Sequence, residues 1–365
     1  MILLCFVSMS NEQHIAYLKQ ALSMAEQRRG FCAPNPVVAA VVVKEGEVIS
    51  VGVHQQAGQP HAEVNALEPL AHKAEGATLY VTLEPCSHWG QTPPCTKLII
   101  KSGIKTVYYA MLDPNPKVAG DGVGQLKKAG IECYRLKVKE ITDFYDSYVY
   151  WLENQRPRVT AKLAITLDGK IAGKDGQPMV ITGDSLKRYT HQWRRHSDAI
   201  LTTSHTIMND DPQFNVRIDD EILDKPIYIL DSSLRVSPRA KLFHNAENIT
   251  LFHRKNSNGG DKDRLIARGV RCIPVSGNDK GLDLDEVLEI IGADGIHDLW
   301  LEAGSRCFQS FLQQQLLRRA LIYIAPKVVA ADAMSAFTKA VPLEEKAQKI
   351  QWHQCGDDAV LDLLY

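Results

Sequence analysis

His61-Ala62-Glu63, Cys86 and Cys95 are the residues of this chain whose types and spacing could carry chemistry. One imidazole and two thiolates are three borderline-soft donors, which suit a tetrahedral zinc ion and leave a fourth position for water. A structural zinc would close that position with a fourth Cys or His. Zinc brings the pKa of its water to about 7, so that the water can attack the carbon of an amidine-like C–NH₂ group at working pH. Some group must then take the water's proton and deliver it to the departing ammonia. Glu63 stands two residues from His61, close to the metal but not a ligand, as zinc deaminases require. The expected chemistry is hydrolytic deamination. One irregularity stands out: eight residues separate the two cysteines, where the usual pattern is Pro-Cys-x-x-Cys.

These residues need elements that hold them together, and the surrounding pattern supplies them. Ser10 with Gln13 makes a capping box for a first helix running to about Arg29. The β-branched run at 37–43 predicts a buried strand, and Lys44-Glu45-Gly46 turns it back into a second strand over 47–53. A helix over 62–70 opens just after His61, a strand over 78–83 ends just before Pro85-Cys86, and a helix over 95–101 begins on Cys95. Both thiolates are expected at helix starts, where the dipole favours negative charge. A strand at 106–110 and a further helix and strand complete an α/β unit with helices on both faces of its sheet. On their own, Pro34-Asn35-Pro36 reads equally as a rigid turn or as a polar group presented to a pyrimidine edge, and His54 as a satisfied polar residue or a contact.

The segment 151–158 is the expected boundary, with Pro157 ending one helical pattern before a strand begins at Val159. Beyond it lie strands at 198–203, 226–230, 248–252 and 299–302, with helices between. Lys162 falls on the first strand, Thr166-Leu167-Asp168-Gly169 forms a turn, and Arg194 closes a helix. On its own, Asp210-Asp211-Pro212 reads equally as a helix-terminating turn or as a functional group. The strand ending in Leu301-Glu302-Ala303 breaks at Gly304-Ser305 into another helix, whose first N–H groups could receive a cofactor phosphate or simply open an ordinary turn. No Gly-x-Gly-x-x-Gly occurs in this half, which argues against a Rossmann domain.

A chain of 365 residues is too long for one ordinary core. Its charge is balanced in both parts: 14 Lys/Arg against 15 Asp/Glu up to residue 155, and 28 against 28 after it. No basic stripe is available to release counterions from a nucleic acid, so the expected partner is a small molecule. Eight scattered cysteines, only two of them in a motif, suit thiols in a reducing cytoplasm rather than a disulfide framework. The apolar opening run at 1–7 is far short of a membrane span and reads as an upstream extension, with Met9 an alternative start.

Three stretches together resemble the bifunctional riboflavin-biosynthesis deaminase/reductase family, RibD. They are Asn35-Pro36-Val37-Val38, Ala57-Gly58-x-Pro60-His61-Ala62-Glu63-Val64-Asn65-Ala66-Leu67, and Leu83-Glu84-Pro85-Cys86-Ser87-His88-x-Gly90-x-Thr92-Pro93-Pro94-Cys95. The long insert between the cysteines is characteristic of that family and accounts for the irregular spacing. Asp113-Pro114-Asn115-Pro116-x-Val118-x-Gly120-x-Gly122 continues the likeness, which extends through the second half. The resemblance implies an α/β chain with a cytidine-deaminase-like three-layer domain over 9–150 and a dihydrofolate-reductase-like domain over 157–365. The first would deaminate 2,5-diamino-6-(5-phosphoribosylamino)pyrimidin-4-one with one zinc ion. The second would reduce the ribosyl group with NADPH, to give 5-amino-6-(5-phosphoribitylamino)uracil. It further implies a cytoplasmic homo-oligomer, a dimer or tetramer, with no membrane partner.

Carried over position by position, Asn35, His54 and His88 would bind the deaminase substrate. Arg194, Arg217 and Glu302 would bind the reductase substrate, the arginines suiting a phosphate by forked hydrogen bonds. Lys162 and Asp210 would lie near the reacting centre, and Ala164, Val180, Thr206, Asp210, Ser232, Gly304 and Ser305 on the NADPH side. The chain departs from the family at Gln91, where Lys or Arg is usual, and in Pro178-Met179-Val180-Ile181-Thr182, which replaces Ser-x-Trp-Ile-Thr. Ser305-Arg306 also stands where smaller or imino residues are common. An alternative is a zinc deaminase of a related pyrimidine whose C-terminal half is only a scaffold or dimerisation module.

Overall fold

The computed structural model describes residues 9–365 except 91, 116–119, 247, 258, 280, 330 and 338, and the side chains of 72 and 245. The apolar opening run, Gln91, Pro116 and Val118 thus lie outside the described residues. The chain divides into two compact units between Asn154 and Gln155.

In the first unit, Ser10 caps α1 (Asn11–Glu26): its hydroxyl accepts the Gln13 N–H at 3.3 Å, and the Gln13 side chain accepts the Ser10 N–H at 2.9 Å. The helix ends at Glu26 rather than near Arg29, because the chain turns through Gly30 at φ 82°. Strands β1 (Ala39–Lys44) and β2 (Glu47–Val53) form the expected hairpin. Glu45 and Gly46 both take positive φ, 54° and 83°, the backbone that matches strand twist in a two-residue turn. β1 starts two positions later than the β-branched run, since Pro36 has no N–H and the Val37 carbonyl accepts the Tyr145 hydroxyl at 2.8 Å. Helix α2 (Ala62–Leu67) is also shorter than expected: Pro69 interrupts the α ladder and the chain continues as a 3₁₀ turn over Glu68–Ala74. There follow β3 (Thr78–Leu83), α3 (Cys95–Lys101), β4 (Thr106–Met111), α4 (Asp121–Lys128), β5 (Glu132–Arg135), α5 (Lys139–Phe144) and α6 (Asp146–Asn154).

The sheet order is β2-β1-β3-β4-β5, with β1 antiparallel to both neighbours and β3, β4 and β5 parallel. Strand alternation on β1 serves two cores. Ala40 and Val42 pack with Ala62, Ala66 and Ile99 from α2 and α3; Ala39, Val41 and Val43 pack with Leu18, Ala21 and Ile141 from α1 and α5. A strand covered on both sides reads as an unbroken apolar run, which is why its sequence does not alternate. The layers place three chain ends together: the residue before α2, the residues after β3, and the first residue of α3.

The second unit is built on a nine-stranded sheet. In order its strands are Arg271–Val275, Ile249–Arg254, Ile227–Leu230, β8 (Ala199–Thr203), Asp298–Glu302, β6 (Arg158–Thr166), Arg319–Ala325, Asp358–Leu364 and Lys349–Cys355. The first seven are parallel; Asp358–Leu364 runs antiparallel to them, and Lys349–Cys355 pairs antiparallel with it in turn. A short strand β7 (Lys170–Lys174) pairs with Ala333–Ser335, and helices α7 (Asp184–His196) and α8 (Ser204–Asp210) flank β8. β6 sends Val159, Ala161 and Leu163 into a core shared with Phe308 and Phe311. Its opposite face, which carries Lys162 and Ala164, adjoins a core with Leu186, Trp300 and Tyr323. Among the described residues no helix is long and apolar enough to cross a membrane.

Candidate active site

The ends of α2, β3 and α3 converge on His61, Cys86 and Cys95. His61 Nδ1 lies 3.5 Å from Cys86 Sγ and 3.4 Å from Cys95 Sγ. The three donor atoms lie within 4.8 Å of one another. With Zn–S of about 2.3 Å and Zn–N of about 2.0 Å, a tetrahedral ion sets nitrogen and sulfur ligands about 3.5 Å apart. The donor set therefore fits zinc in both chemistry and spacing. Nδ1 faces the sulfurs, and the other ring nitrogen, Nε2, meets the Thr92 hydroxyl at 3.3 Å, the kind of outer partner that orients a ligand imidazole.

Cys95 is the first residue of α3, as expected. Cys86 is not at a helix start: it lies in the loop after β3, and the fold corrects that expectation. The Cys95 backbone N–H nevertheless donates to Cys86 Sγ at 3.3 Å, so the sulfur meets the α3 terminus in space. The two thiols shift in opposite directions, each under the influence of the other. The neighbouring Cys95 thiol, outweighing burial, and then His61 hold Cys86 at about 4, while Cys95, facing Cys86, is pushed well above the ordinary thiol range. Glu63, in the first turn of α2, is 3% exposed, and burial followed by the adjacent Cys86 charge raises its carboxyl to about 7.

A cavity of about 300 Å³ opens beside this cluster, and Asn35, His54 and His88 all line it with His61, Glu63 and Cys86. His54 is buried, and burial holds its pKa down. Its Nδ1 lies 3.1 Å from the Pro60 carbonyl and its Nε2 3.2 Å from Asn35 Nδ2. A neutral ring with the proton on Nδ1 satisfies both contacts, accepts the Asn35 amide, and leaves Asn35 Oδ1 for a ligand. The Pro34-Asn35-Pro36 run is a tight turn, with the Asn35 N–H on the Cys32 carbonyl at 2.9 Å.

Glu84, between the end of β3 and Pro85, is buried and accepts three backbone N–H groups: Gly120 at 2.9 Å, Val123 at 3.1 Å and Asp113 at 3.4 Å. It caps α4 from another segment, a favourable place for a carboxylate. Gly122 is required there, because a Cβ would stand 2.0 Å from the Pro85 carbonyl oxygen. Asp113 and Asn115 reach the cavity from the loop after β4. The Asp113 carboxylate accepts the Asn115 N–H at 2.9 Å, and burial raises its pKa.

In the second unit, the Glu302 carboxylate forms a two-pronged pair with Arg194, with Nη2 to Oε2 at 2.9 Å, and also accepts the Trp300 indole N–H at 2.6 Å. Burial works against the Glu302 charge, but the Arg194 guanidinium prevails and holds the carboxyl at about 2. The Arg194 fork, expected to be open to a phosphate, is instead committed to Glu302, and its Nη1 goes to the Asn215 carbonyl at 2.9 Å. Lys162 lies on β6 with its ammonium 5.5 Å from the Tyr323 ring. Burial lowers its pKa against the pull of Glu302 and Asp210. Asp210 ends α8, and Asp211 closes that helix in the left-handed region at φ 41°. Arg217 is exposed, with its Nη1 on Asn215 Oδ1 at 2.6 Å.

The residues expected on the cofactor side are distributed over several elements. Ala164 is on β6, Thr206 in the first turns of α8 and Ser232 just after Ile227–Leu230. Gly304 caps the helix Ser305–Gln313, and the place of its missing Cβ is open space. Val180 is 81% exposed.

Sequence reasoning missed several neighbours. His191 is buried on α7; burial, then Arg194 and Arg217, lower its pKa to about 4, and its neutral Nδ1 accepts the Arg217 N–H at 3.1 Å. Its spacing from Arg194, one helical turn, was the available signal. Tyr148, Trp151 and Leu152 of α6 line the deaminase cavity, although the boundary was expected to begin at Trp151. Asp113 and Asn115 lay in a recognised motif without a role.

Two family models match the chain. The cytidine and deoxycytidylate deaminase zinc-binding region covers residues 11–111, and the RibD C-terminal domain covers residues 157–361. The riboflavin biosynthesis protein RibD of Aquifex aeolicus is 39% identical over 348 residues, covering 94% of this chain and 96% of the relative. The protein of that name from Escherichia coli K12 is 37% identical over 335 residues, covering 88% and 90%. Among solved structures, Acinetobacter baumannii RibD matches with a TM-score of 0.85 at 32% identity, covering 97% of this chain and 99% of that one. A diaminohydroxyphosphoribosylaminopyrimidine deaminase/5-amino-6-(5-phosphoribosylamino)uracil reductase from Thermotoga maritima matches with a TM-score of 0.83 at 30% identity, with the same coverage.

Proposed function

The chain belongs to the RibD family of bifunctional deaminase/reductases of riboflavin biosynthesis, and from that premise we propose the substrate, the cofactors and the part each residue plays. The first unit, our domain 9–150, deaminates 2,5-diamino-6-(5-phosphoribosylamino)pyrimidin-4-one. The second, 157–365, reduces the ribosyl group of the product. The observation that carries this reading is the meeting of His61 Nδ1 with the Cys86 and Cys95 sulfurs at 3.5 and 3.4 Å, beside a buried Glu63.

His61, Cys86 and Cys95 hold the zinc, whose contribution when bound is to acidify water at an open position. Glu63 takes a proton from the attacking water and delivers it to the leaving amine. One water enters, the carbon–nitrogen bond breaks, ammonia leaves and a ring carbonyl remains. Asn35, turned by His54, and His88 orient the pyrimidine.

In the second unit the chemistry that NADPH would supply when bound is a hydride for the anomeric carbon. The bond from that carbon to the ring oxygen breaks, and the oxygen takes a proton to give the ribityl chain. Lys162, whose pKa burial lowers, and Asp210 manage that proton. Arg217 receives the sugar phosphate, and the Arg194–Glu302 pair contacts the ribosyl part of the substrate. Ala164, Val180, Thr206, Ser232, Gly304 and Ser305 accommodate NADPH. The assembly is a homo-oligomer, a dimer or tetramer, working in the cytoplasm, and light scattering in solution tests its size.

Incubation of the zinc-loaded chain with the diaminopyrimidine phosphate, with and without NADPH, tests both halves. Ammonia release without NADPH, and NADPH oxidation giving the ribityl product, are expected. Absence of ammonia refutes the first assignment. Ammonia without saturable NADPH binding or oxidation refutes the second and favours a C-terminal scaffold.

A further inference from the structure

The arm that carries Asn35 lies beyond the end of one of its ladders. Pairing between β1 and β3 stops at Ala40 and Val81. On the side of β2 the arm is still held by backbone, since the His54 N–H donates to the Val38 carbonyl at 2.9 Å. On the side of β3 two side chains take over. The Thr82 hydroxyl accepts the Ala39 N–H at 3.2 Å, and the Tyr145 hydroxyl donates to the Val37 carbonyl at 2.8 Å.

These two hydroxyls also meet each other, at 2.7 Å. Tyr145 has one proton, which Val37 takes, so its oxygen accepts from Thr82. Thr82 is 0% exposed and Tyr145 2%, and burial raises the Tyr145 pKa, so the phenol keeps its proton. In such surroundings a backbone N–H or carbonyl must have a partner. The pair supplies what a neighbouring strand would otherwise give. Tyr145 does not line the deaminase cavity, but both segments it joins do. Its own carbonyl accepts the Val149 N–H at 2.9 Å at the start of α6, the helix that brings Tyr148, Trp151 and Leu152 to the cavity wall. Asn35, Pro36 and Val38 line the same cavity from the arm.

We propose that Tyr145 is a positioning residue for deamination: with Thr82 it fixes the Asn35 arm relative to α6 and so sets how tightly the pyrimidine is held. This rests on the deaminase reading above. Because the hydroxyl acts through Asn35 and takes no part in the proton transfers at Glu63, its effect belongs in KM.

Ammonia release by the zinc-loaded full chain on the diaminopyrimidine ribosyl phosphate tests this in wild type, Tyr145→Phe, Asn35→Ala and the double variant. Phe keeps the buried ring and removes only the hydroxyl. Tyr145→Phe is expected to raise KM about fivefold to tenfold, the equivalent of one ordinary hydrogen bond, with kcat and zinc content unchanged. Thr82→Val, which keeps the shape of the side chain, should do the same. Asn35→Ala raises KM by itself, and Tyr145→Phe added to it should change little more, because the group it positions is gone. An unchanged KM in Tyr145→Phe or in Thr82→Val overturns the proposal. So does a comparable fall in kcat or in bound zinc, the mark of general loosening, and so does a double variant whose effect is the product of the two single ones. Wild type that deaminates while Asn35→Ala keeps its KM removes Asn35 from binding and the proposal with it, leaving the zinc chemistry intact. No ammonia from wild type overturns the deaminase reading itself, and Tyr145 with it.

Discussion

Replacing Arg194 by Met should destabilise the second unit far more than an ordinary surface change. The side chains of Arg194 and Glu302 are 11% and 12% exposed, so water can do little for a charge left behind. Glu302 sits at about 2 against an ordinary 4.5; at about 1.4 kcal/mol per pKa unit, that difference corresponds to about 3 kcal/mol of stabilisation at neutral pH. Breaking a buried pair by removing one partner typically costs about 3–5 kcal/mol, because the orphaned charge remains. Arg194→Met is therefore expected to lose about 3–5 kcal/mol. A double change to Arg194→Met with Glu302→Leu should recover most of it, less about 1 kcal/mol for the Trp300 indole N–H that loses its acceptor. Urea unfolding followed by tryptophan fluorescence suits the measurement, since Trp193 stacks on Trp300 at 5.5 Å beside the pair. The pH dependence has a definite sign. The folded-state pKa is depressed, so the stabilisation is complete above about 4.5 and fades as pH falls toward about 2. The gap between wild type and Arg194→Met should close over that window. A gap below about 1 kcal/mol at neutral pH, or one that stays constant through the acid range, would refute the reasoning.

Three further changes separate the roles within the deaminase unit. Glu63→Gln should keep its zinc, by metal analysis, while ammonia release falls about 10²–10⁴-fold; unchanged release would remove Glu63 from the proton path. Thr92→Val deletes the hydroxyl 3.3 Å from His61 Nε2 and should weaken zinc binding about 10–100-fold in competition with a chelator, with unaltered affinity counting against an orienting role. Gly122→Ala would drive a Cβ to 2.0 Å from the Pro85 carbonyl oxygen and should cost about 1–3 kcal/mol in thermal unfolding along with part of the bound zinc; full stability would mean that the α4 start can yield.

Much of the deaminase site was legible because it depends on short spacings. His61 and Glu63 are two residues apart at a helix start, and Cys95 begins a helix whose periodicity is plain. The position of Cys86 departs from the sequence pattern because its proximity to a helix terminus is spatial, through the Cys95 N–H, and not sequential. α2 is shorter than its apolar periodicity implies, because the pattern continues past Pro69, where the α-helical backbone does not. The second unit was harder. Arg194 and Glu302 are 108 positions apart, and nothing local in either segment reveals that they neutralise each other. His191 went unnoticed since a buried neutral histidine looks like any other helix residue until its neighbours are known. Pro157, six positions beyond Trp151, signals a break in the sequence, yet α6 runs to Asn154 and Trp151 lines the cavity.

The three amide hydrogens gathered by Glu84 have a consequence for how this site can change. The segment bearing Cys86 and the loop bearing Asp113 and Asn115 are joined through one carboxylate, so neither can be exchanged alone. A loop transplanted from another deaminase to alter the accepted pyrimidine would arrive with its amides aimed at an acceptor. It would succeed only if the recipient kept a carboxylate at that spot and a glycine opposite Pro85. Substrate preference and metal retention are in this sense inherited as one module, and an engineer who redesigns the first must carry the second along.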